Sequence, residues 1–444
     1  VSAGVSLDRL ETDYASSPDS LETVSLRGEW LWKKNRLSQA LEKWGRLPSR
    51  YDNRIRGIVS ARNLSPDSLF LLQPGGKLQA RRASWLGENA PAGHNTGLRP
   101  LRVGLVLPLG LNKPDPLTRS SPLMDFYRGF SLGHEVLTAS DSGFDFQVFD
   151  YGDSEAEIRR MIQKQAFSGL DLVVGPVKAS PTPLLIGDAS KNGYALWNPL
   201  GHTTQNARYS GFFQGQPSHA TLAKNLFEFA SPLSPGRGVA IVYGVEKSDS
   251  LLAAAYRDRV KKMGKEVLLF RKVGKNSAAN LVKYLVESGL DSTGHLLVAS
   301  NEPLVRIQML SAYGWTKAKY PVVVFGKWLE AQDTDFEEYE RWPFYFAEPD
   351  LVSDRSARFR AWEGAYLSKW GRPPTWLSWK GFDLAYLLGI GLYGKTGPEI
   401  RRPLVAPGFT SEGFLFGEET PDNLMVPVYR FESGRLNRVW PGEK

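Results

Sequence analysis

LDLVVGPVKASPTPLLIGDASKNGYALWNPLG, residues Leu170 to Gly201, reads as strand, loop, helix and strand with almost no spare residues between them. Leu170, Leu172, Val173 and Val174 form a short apolar run that Gly175-Pro176 stops at once, the pattern of a parallel strand buried on both faces. Ala179, Ser180, Pro181 and Thr182 then place hydroxyls and a proline where a helix begins, its apolar face running through Leu184, Leu185, Ile186 and Ala189. Hydroxyls and free backbone N–H groups at a helix N-terminus suit an anionic ligand group. The alternative is that Ser180 or Thr182 simply caps the helix. Either way the stretch points to a binding loop and not to a catalytic centre.

The same alternation extends outward. RVGLVLPLG (Arg102 to Gly110) reads as a buried strand, Met124 to Leu137 as an amphipathic helix, Phe144 to Phe149 as a strand and Glu155 to Gln165 as a helix. After Tyr194 to Trp197 the chain is expected to loop through Leu200 to Ser210 and start again. The second round is a helix at His219 to Ala230, a strand at Gly238 to Tyr243, a helix at Ser248 to Met263 and a strand at Glu266 to Phe270, followed by a helix at Ser277 to Ser288 and a strand at His295 to Ala299. It closes with a helix at Pro303 to Tyr313 and a strand at Pro321 to Phe325. The fold class this predicts is α/β, two doubly wound parallel-sheet lobes in series with a cleft between them.

The chain has 444 residues, 42% hydrophobic and 23% charged, enough for two or three globular domains. No run approaches the roughly 20 apolar residues that cross a bilayer, so no transmembrane segment is expected. Cysteine is absent, which removes disulfides and thiolate chemistry. The net charge of +8 is spread along the chain without an arginine-rich helix or finger spacing, so no nucleic-acid partner is expected. A basic surface also suits anionic cell-wall polymer or lipid headgroups. The chain begins at Val1 without an initiator methionine, and a processed product is expected whose targeting segment, and with it a lipid anchor, has been removed.

Residues 1–60 are helical in pattern: Leu21, Val24, Leu26, Trp30, Leu31, Leu37, Ala40, Leu41 and Trp44 recur at helical spacing around a Lys34-Asn35-Arg36 turn. Gly28, Trp30, Leu37, Ala40 and Trp44 resemble the packing positions of one tetratricopeptide unit, with Gly28 and Ala40 allowing close approach. Residues 61–98 read as a linker, and residues 99–444 as the main domain. Its first lobe is expected at about 99–215 plus a late crossover near 345–400, and its second at about 216–344 plus the C-terminal strands.

RVGLVLPLG, MDFYRGFSLG, DLVVGPVKASPT, YALWNPLG, GVAIVYG and the late WLSWKGFDLAYLLGIGL (Trp376 to Leu392) together resemble the type I periplasmic-binding-protein fold, above all the leucine/isoleucine/valine-type solute-binding proteins. The resemblance implies a non-enzymatic protein of the periplasm or cell envelope that closes its lobes on an amino-acid-like ligand, has no cofactor and serves an ABC permease. By the same resemblance, Ser180, Thr182, Thr203 and Thr204 would hold the ligand, with His202 beside them. The second lobe would contribute Ser248, Trp328 and Glu330. This sequence departs from the pattern near 246–248, where Glu246, Lys247 and Ser248 stand in place of the usual aromatic residue. Two alternatives stand beside these roles, His202 satisfying a loop carbonyl and Trp328 filling core.

A helical N-terminal unit joined to this domain also resembles the penicillin-binding-protein activator lipoproteins, which dock on a cell-wall synthase. In that case exposed aromatics of RWPFYF (Arg341 to Phe346) would be contacts, unless they form a buried crossover strand. Enzymatic motifs are missing: the sequence has no His-Glu-x-x-His, no P-loop and no Gly-x-Ser-x-Gly.

Overall fold

A computed structural model describes residues 20–33, 40, 43–44, 47–48, 51, 54–55, 58, 99–111, 122–138, 144–152, 154–202, 209–235, 238–289, 291–329, 336–349, 357–392, 394–406, 408–409 and 411–441. The expected linker at 61–98 and the Lys34-Asn35-Arg36 turn lie outside these residues.

Two sheets are built to one plan. The first has five strands, β1 (Arg102–Leu107), β2 (Asp145–Asp150), β3 (Leu172–Val174), β4 (Ala195–Asn198) and β5 (Phe212–Gln214), in the order β2-β1-β3-β4-β5. The second contains β6 (Gly238–Tyr243), β7 (Val267–Lys272), β8 (Thr293–Ala299), β9 (Val322–Phe325) and β10 (Phe344–Ala347), which run β7-β6-β8-β9-β10 in parallel. Strand for strand, this is the order of the first sheet. Two antiparallel strands, β13 (Val428–Glu432) and β14 (Arg435–Trp440), extend the second sheet beyond β10. A small ribbon pairs β11 (Leu404–Ala406) with β12 (Phe414–Phe416).

The helices follow the strands as alternation requires: α2 (Leu123–Thr138), α3 (Glu155–Gln163) and α4 (Thr182–Asn192) around the first sheet's sequence, α5 (His219–Ala230), α6 (Lys247–Lys262), α7 (Leu281–Glu287), α8 (Pro303–Thr316) and α9 (Phe336–Arg341) around the second's. α10 (Ala357–Trp370) and α11 (Trp376–Gly391) come late in the chain, and α1 (Ser20–Lys33) precedes the sheets. No helix among the described residues is long and apolar enough to cross a membrane.

The chain divides into two compact units, residues 1–102, 120–146 and 354–395 in one, and residues 103–119, 147–353 and 396–444 in the other. In the first unit α2 and α11 meet backbone to backbone. A Cβ on Gly129 would stand 1.9 Å from the Ser378 carbonyl oxygen, and one on Gly381 2.0 Å from that of Phe126, so only glycine fits at either crossing. In α1, Gly28 lies against the indole of Trp44, whose Nε1 donates to the Ser25 carbonyl at 3.1 Å. The close approach expected at Gly28 is therefore present. Leu26, grouped by its spacing with the apolar set, is 42% exposed.

In the second unit β8 is buried along its whole length although it contains Thr293 and His295. Both find partners, as buried polar groups must. Thr293 bonds Ser288 and the Gly289 carbonyl, and His295 Nε2 lies 2.8 Å from the Tyr256 hydroxyl. Burial, with Lys265 as a lesser cause, pushes the His295 pKa down to about 4.

Two predictions follow from this packing. Gly381→Val should lower unfolding free energy by about 3 kcal/mol, because the clash is with backbone, whereas Gly187→Ala, on open helix surface in α4, should raise it by roughly 0.5–1 kcal/mol; denaturant titration of both variants measures the contrast. Secondly, the unfolded chain binds a proton at its histidine near pH 6.5 and the folded one only near 4. Stability should therefore fall as pH drops through that window, by roughly 3 kcal/mol when it is complete. His295→Gln should flatten the slope in a series of thermal melts.

Candidate functional site

In an open α/β sheet a ligand sits beyond the carboxyl ends of the strands, where the strand order reverses. The shared order of the two sheets puts those points at β1/β3 and at β6/β8.

At the first point the chain turns out of β1 through Leu109, Gly110 and Leu111, and Gly110 has a positive φ of 67°. Three consecutive N–H groups converge there on one carboxylate, that of Asp150 at the end of β2. Leu109 and Gly110 donate to Oδ1 at 2.9 and 3.0 Å, Leu111 donates to Oδ2 at 2.7 Å, and Gly152 adds a fourth bond to Oδ1 at 2.9 Å. Partial burial pulls the Asp150 pKa upward, but the four backbone donors outweigh it and hold the carboxyl below its ordinary value. Such a ring of amides is an anion site. Here the chain supplies the anion.

The loop after β3 depends on Gly175, with φ 111° and a Cβ position 2.1 Å from the Val106 carbonyl oxygen, so no other residue fits. Its N–H donates to the Trp197 carbonyl at 2.7 Å. Ser180 is exposed, and its hydroxyl donates to Glu155 Oε2 at 3.1 Å. Thr182 is 2% exposed and donates to the Lys178 carbonyl at 2.8 Å. Neither residue caps the helix: the cap position is Pro181, with no side-chain bond. Asn198, which accepts from the N–H groups of Leu200 and Gly201 at 3.1 and 2.7 Å, turns the chain after β4.

At the second point the Asp249 carboxylate lies over Gly244, where a Cβ would be 2.3 Å from Oδ2. Burial, then the charge of Glu246, raises the Asp249 pKa. Ser300 follows β8; its hydroxyl accepts from the Glu302 N–H at 3.3 Å, and its carbonyl accepts from Trp328 Nε1 at 2.8 Å. Trp328 is 2% exposed, so its indole is core. Ser248, beside Asp249, is exposed.

His202 is exposed, with Nδ1 3.0 Å from the Pro217 carbonyl and its ring 5.8 Å from that of His219. The structure thus brings Ser180, Thr182 and Asn198 together at the β3/β4 end, and keeps Trp328 with Ser300 in the second sheet. Thr203, Thr204 and Glu330 lie outside the described residues. Of RWPFYF, Arg341 ends α9 and Phe344, Tyr345 and Phe346 open β10 and are buried there, so these three are not exposed contacts. Among the described residues no group of three or more His, Asp and Glu side chains is placed to hold a metal.

The residue that the sequence left unread is Asp150. Three of its four donors lie 39–41 positions earlier, and the local signal is only an aspartate closing a strand ahead of Tyr151-Gly152.

No protein-family model matches the chain, and no curated protein matches it. Solved structures do. A protein from Rhodospirillum rubrum named for branched-chain amino acid ABC transport is 14% identical with a TM-score of 0.57, covering 77% of this chain and all of that one. An ABC transporter substrate-binding protein from Desulfitobacterium hafniense, solved with Leu, is 15% identical with a TM-score of 0.50 over 77% of this chain and all of its own. The C-domain of LpoA from Haemophilus influenzae, a regulator of PBP1A, is 16% identical with a TM-score of 0.53, covering 76% of this chain and 99% of that domain. The chain has the type I periplasmic-binding-protein fold. At these identities the likeness carries the architecture alone.

Asp150→Ala removes the acceptor of four backbone N–H groups and should cost about 2–3 kcal/mol of stability, whereas Asp150→Asn, which keeps Oδ1, should cost about 1 kcal/mol. Because the folded pKa is depressed, the contribution is present above the ordinary carboxylate range and is lost as pH falls through the lowered value. Urea titrations of the two variants at neutral and acid pH check both the order and the direction.

Proposed function

We propose that this protein is a non-enzymatic regulator of the cell envelope that acts by docking on a partner protein, a cell-wall synthase, with the type I binding fold as its scaffold. The observation that carries this reading is the use of the chain's own groups at both switch points. Asp150 takes the amides after β1, Glu155 takes the Ser180 hydroxyl, Lys178 takes that of Thr182, and Trp328 is committed to Ser300. A solute entering the first point would have to displace the Asp150 and Glu155 carboxylates from donors it needs, and the exchange would return little free energy. The likeness to the LpoA C-domain, itself a regulator of PBP1A, supports the same reading.

One observation favours a second reading, closure on an amino-acid-like solute with an ABC permease as recipient. Ser180 and its partner Glu155 are not buried together, so a ligand carboxylate could take that hydroxyl at small cost. The likeness to the substrate-binding protein solved with Leu accords with it.

Thermal unfolding and synthase binding separate the two. Under the docking reading no amino acid or short peptide shifts the midpoint, Ser180→Ala melts as the parent does, and the chain retains a purified bifunctional peptidoglycan synthase on a column. A ligand at one hundred times its dissociation constant would add about 2.7 kcal/mol; a rise of that size that Ser180→Ala abolishes, with no synthase retained, would replace docking with solute binding.

A further inference from the structure

The turn that joins α10 to α11 is a surface of unusual composition. From 364 to 382 the chain contains Trp370, Trp376 and Trp379 with Lys369, Arg372 and Lys380, and no acidic residue. Leu367, one turn before the end of α10, is 48% exposed, and Trp376, the first residue of α11, is 49% exposed. Two large apolar side chains are thus held in water at adjoining helix ends.

Cations surround them. Lys369 Nζ stands 4.7 Å from the centre of the Trp370 ring, with the Arg128 guanidinium 5.9 Å from the same ring, and Lys380 Nζ stands 6.0 Å from the centre of Trp376. Asp125 on α2 pins the turn, accepting from Arg128 at 2.7 Å and from the Thr375 hydroxyl at 3.2 Å, with Arg372 at 3.8 Å. Glu135 pairs with Lys369. With Glu363, exposed on α10 one turn before Leu367, Arg128, Lys369, Arg372 and Lys380 face three carboxylates, and the balance of the patch is positive by one charge. The indole Nε1 atoms of Trp370 and Trp379 are buried and have no acceptor among the described residues, so Trp376 is the indole that the turn presents.

We propose that the α10–α11 turn is a docking surface for an anionic lipid bilayer. Indole with lysine, arginine and an aliphatic side chain is the composition that settles at the headgroup boundary, the rings and Leu367 entering the interface while the cations face anionic headgroups. A glycan would need open indole faces for its sugar rings, and here ammonium and guanidinium groups stand over them. The surface belongs to one compact unit and does not depend on the switch points, so this inference stands apart from the docking reading above.

The test is co-sedimentation of the full chain with vesicles. Phosphatidylglycerol-containing vesicles should bind it, phosphatidylcholine vesicles should not, and raising the salt from low to about 0.5 M should weaken binding roughly tenfold. Trp376→Ser and Lys380→Glu should each weaken it by roughly tenfold, with circular dichroism unchanged. Trp315→Ala removes a side chain that is 82% exposed on α8, in the other unit, and should leave binding unchanged. The proposal is overturned if anionic vesicles fail to bind, if the two patch variants bind like the parent, or if soluble peptidoglycan fragments, and not lipid, compete for the patch.

Discussion

A buried carboxylate holds the second unit together at the place where its chain passes from one sheet to the other. Asp422 is 1% exposed and bonded by Gln214 Nε2 at 2.9 Å and by the Thr221 hydroxyl at 2.6 Å. Gln214 ends β5, the last strand of the first sheet, and Thr221 lies in the first turn of α5, which leads into the second. Backbone bonds reinforce the junction, Gln214 donating to Pro421 at 2.8 Å and Asn423 donating to Gln214 at 2.9 Å. Polar oxygens at that depth need such donors, and removing either one would leave a buried acceptor unsatisfied. The C-terminal segment is thereby fastened across the first crossover, and β13 and β14 reach the edge of the second sheet from there.

The fastening bears on what the fold can do. Closure of a binding protein needs crossover segments that can change their backbone angles. Here one crossover carries a buried network of Gln214, Thr221, Asp422 and Asn423, and Asn423 adds bonds to the Gly215 and Gly413 carbonyls at 3.4 and 3.5 Å. Aromatic packing continues it: Trp197 stacks on Phe213 at 5.4 Å and meets the edges of Phe414 and Phe416 at 5.2 and 5.1 Å. A junction with so many mutually dependent contacts favours one geometry. That agrees with switch points whose donors are already bonded, and with a protein that offers fixed surfaces.

The strands of both sheets were readable because a parallel strand buried on both faces has to be a short apolar run, and Gly or Pro ends several of them, as at Leu172 to Val174 and at Gly238 to Tyr243. Their observed bounds lie within a few residues of the expected ones. β5 was not readable. Phe212, Phe213 and Gln214 are too few to establish a period, and the strand exists through its pairing with β4 and the Asp422 network, both supplied from elsewhere in the chain. The long helix expected from Ser277 to Ser288 is divided, with a 3₁₀ turn over Lys275–Asn280 before α7. Gly274 and Ser277 close that turn through a side-chain-to-backbone bond at 3.0 Å, a local competition that periodicity does not register.

The site was less legible for a related reason. Hydroxyl residues ahead of a helix carry the same sequence signal whether they face a ligand, cap the helix or bond elsewhere, and Ser180 and Thr182 take the last course, one with Glu155 and the other with Lys178. Thr182 is decided by a backbone carbonyl four residues back, and Ser180 by a carboxylate 25 residues away. Asp150 reaches the loop after β1, and Asp422 reaches residues 201 and 208 positions earlier. In both cases an acidic side chain distant in sequence accepts from donors that no local pattern marks, so the pairing becomes visible only once the chain is folded.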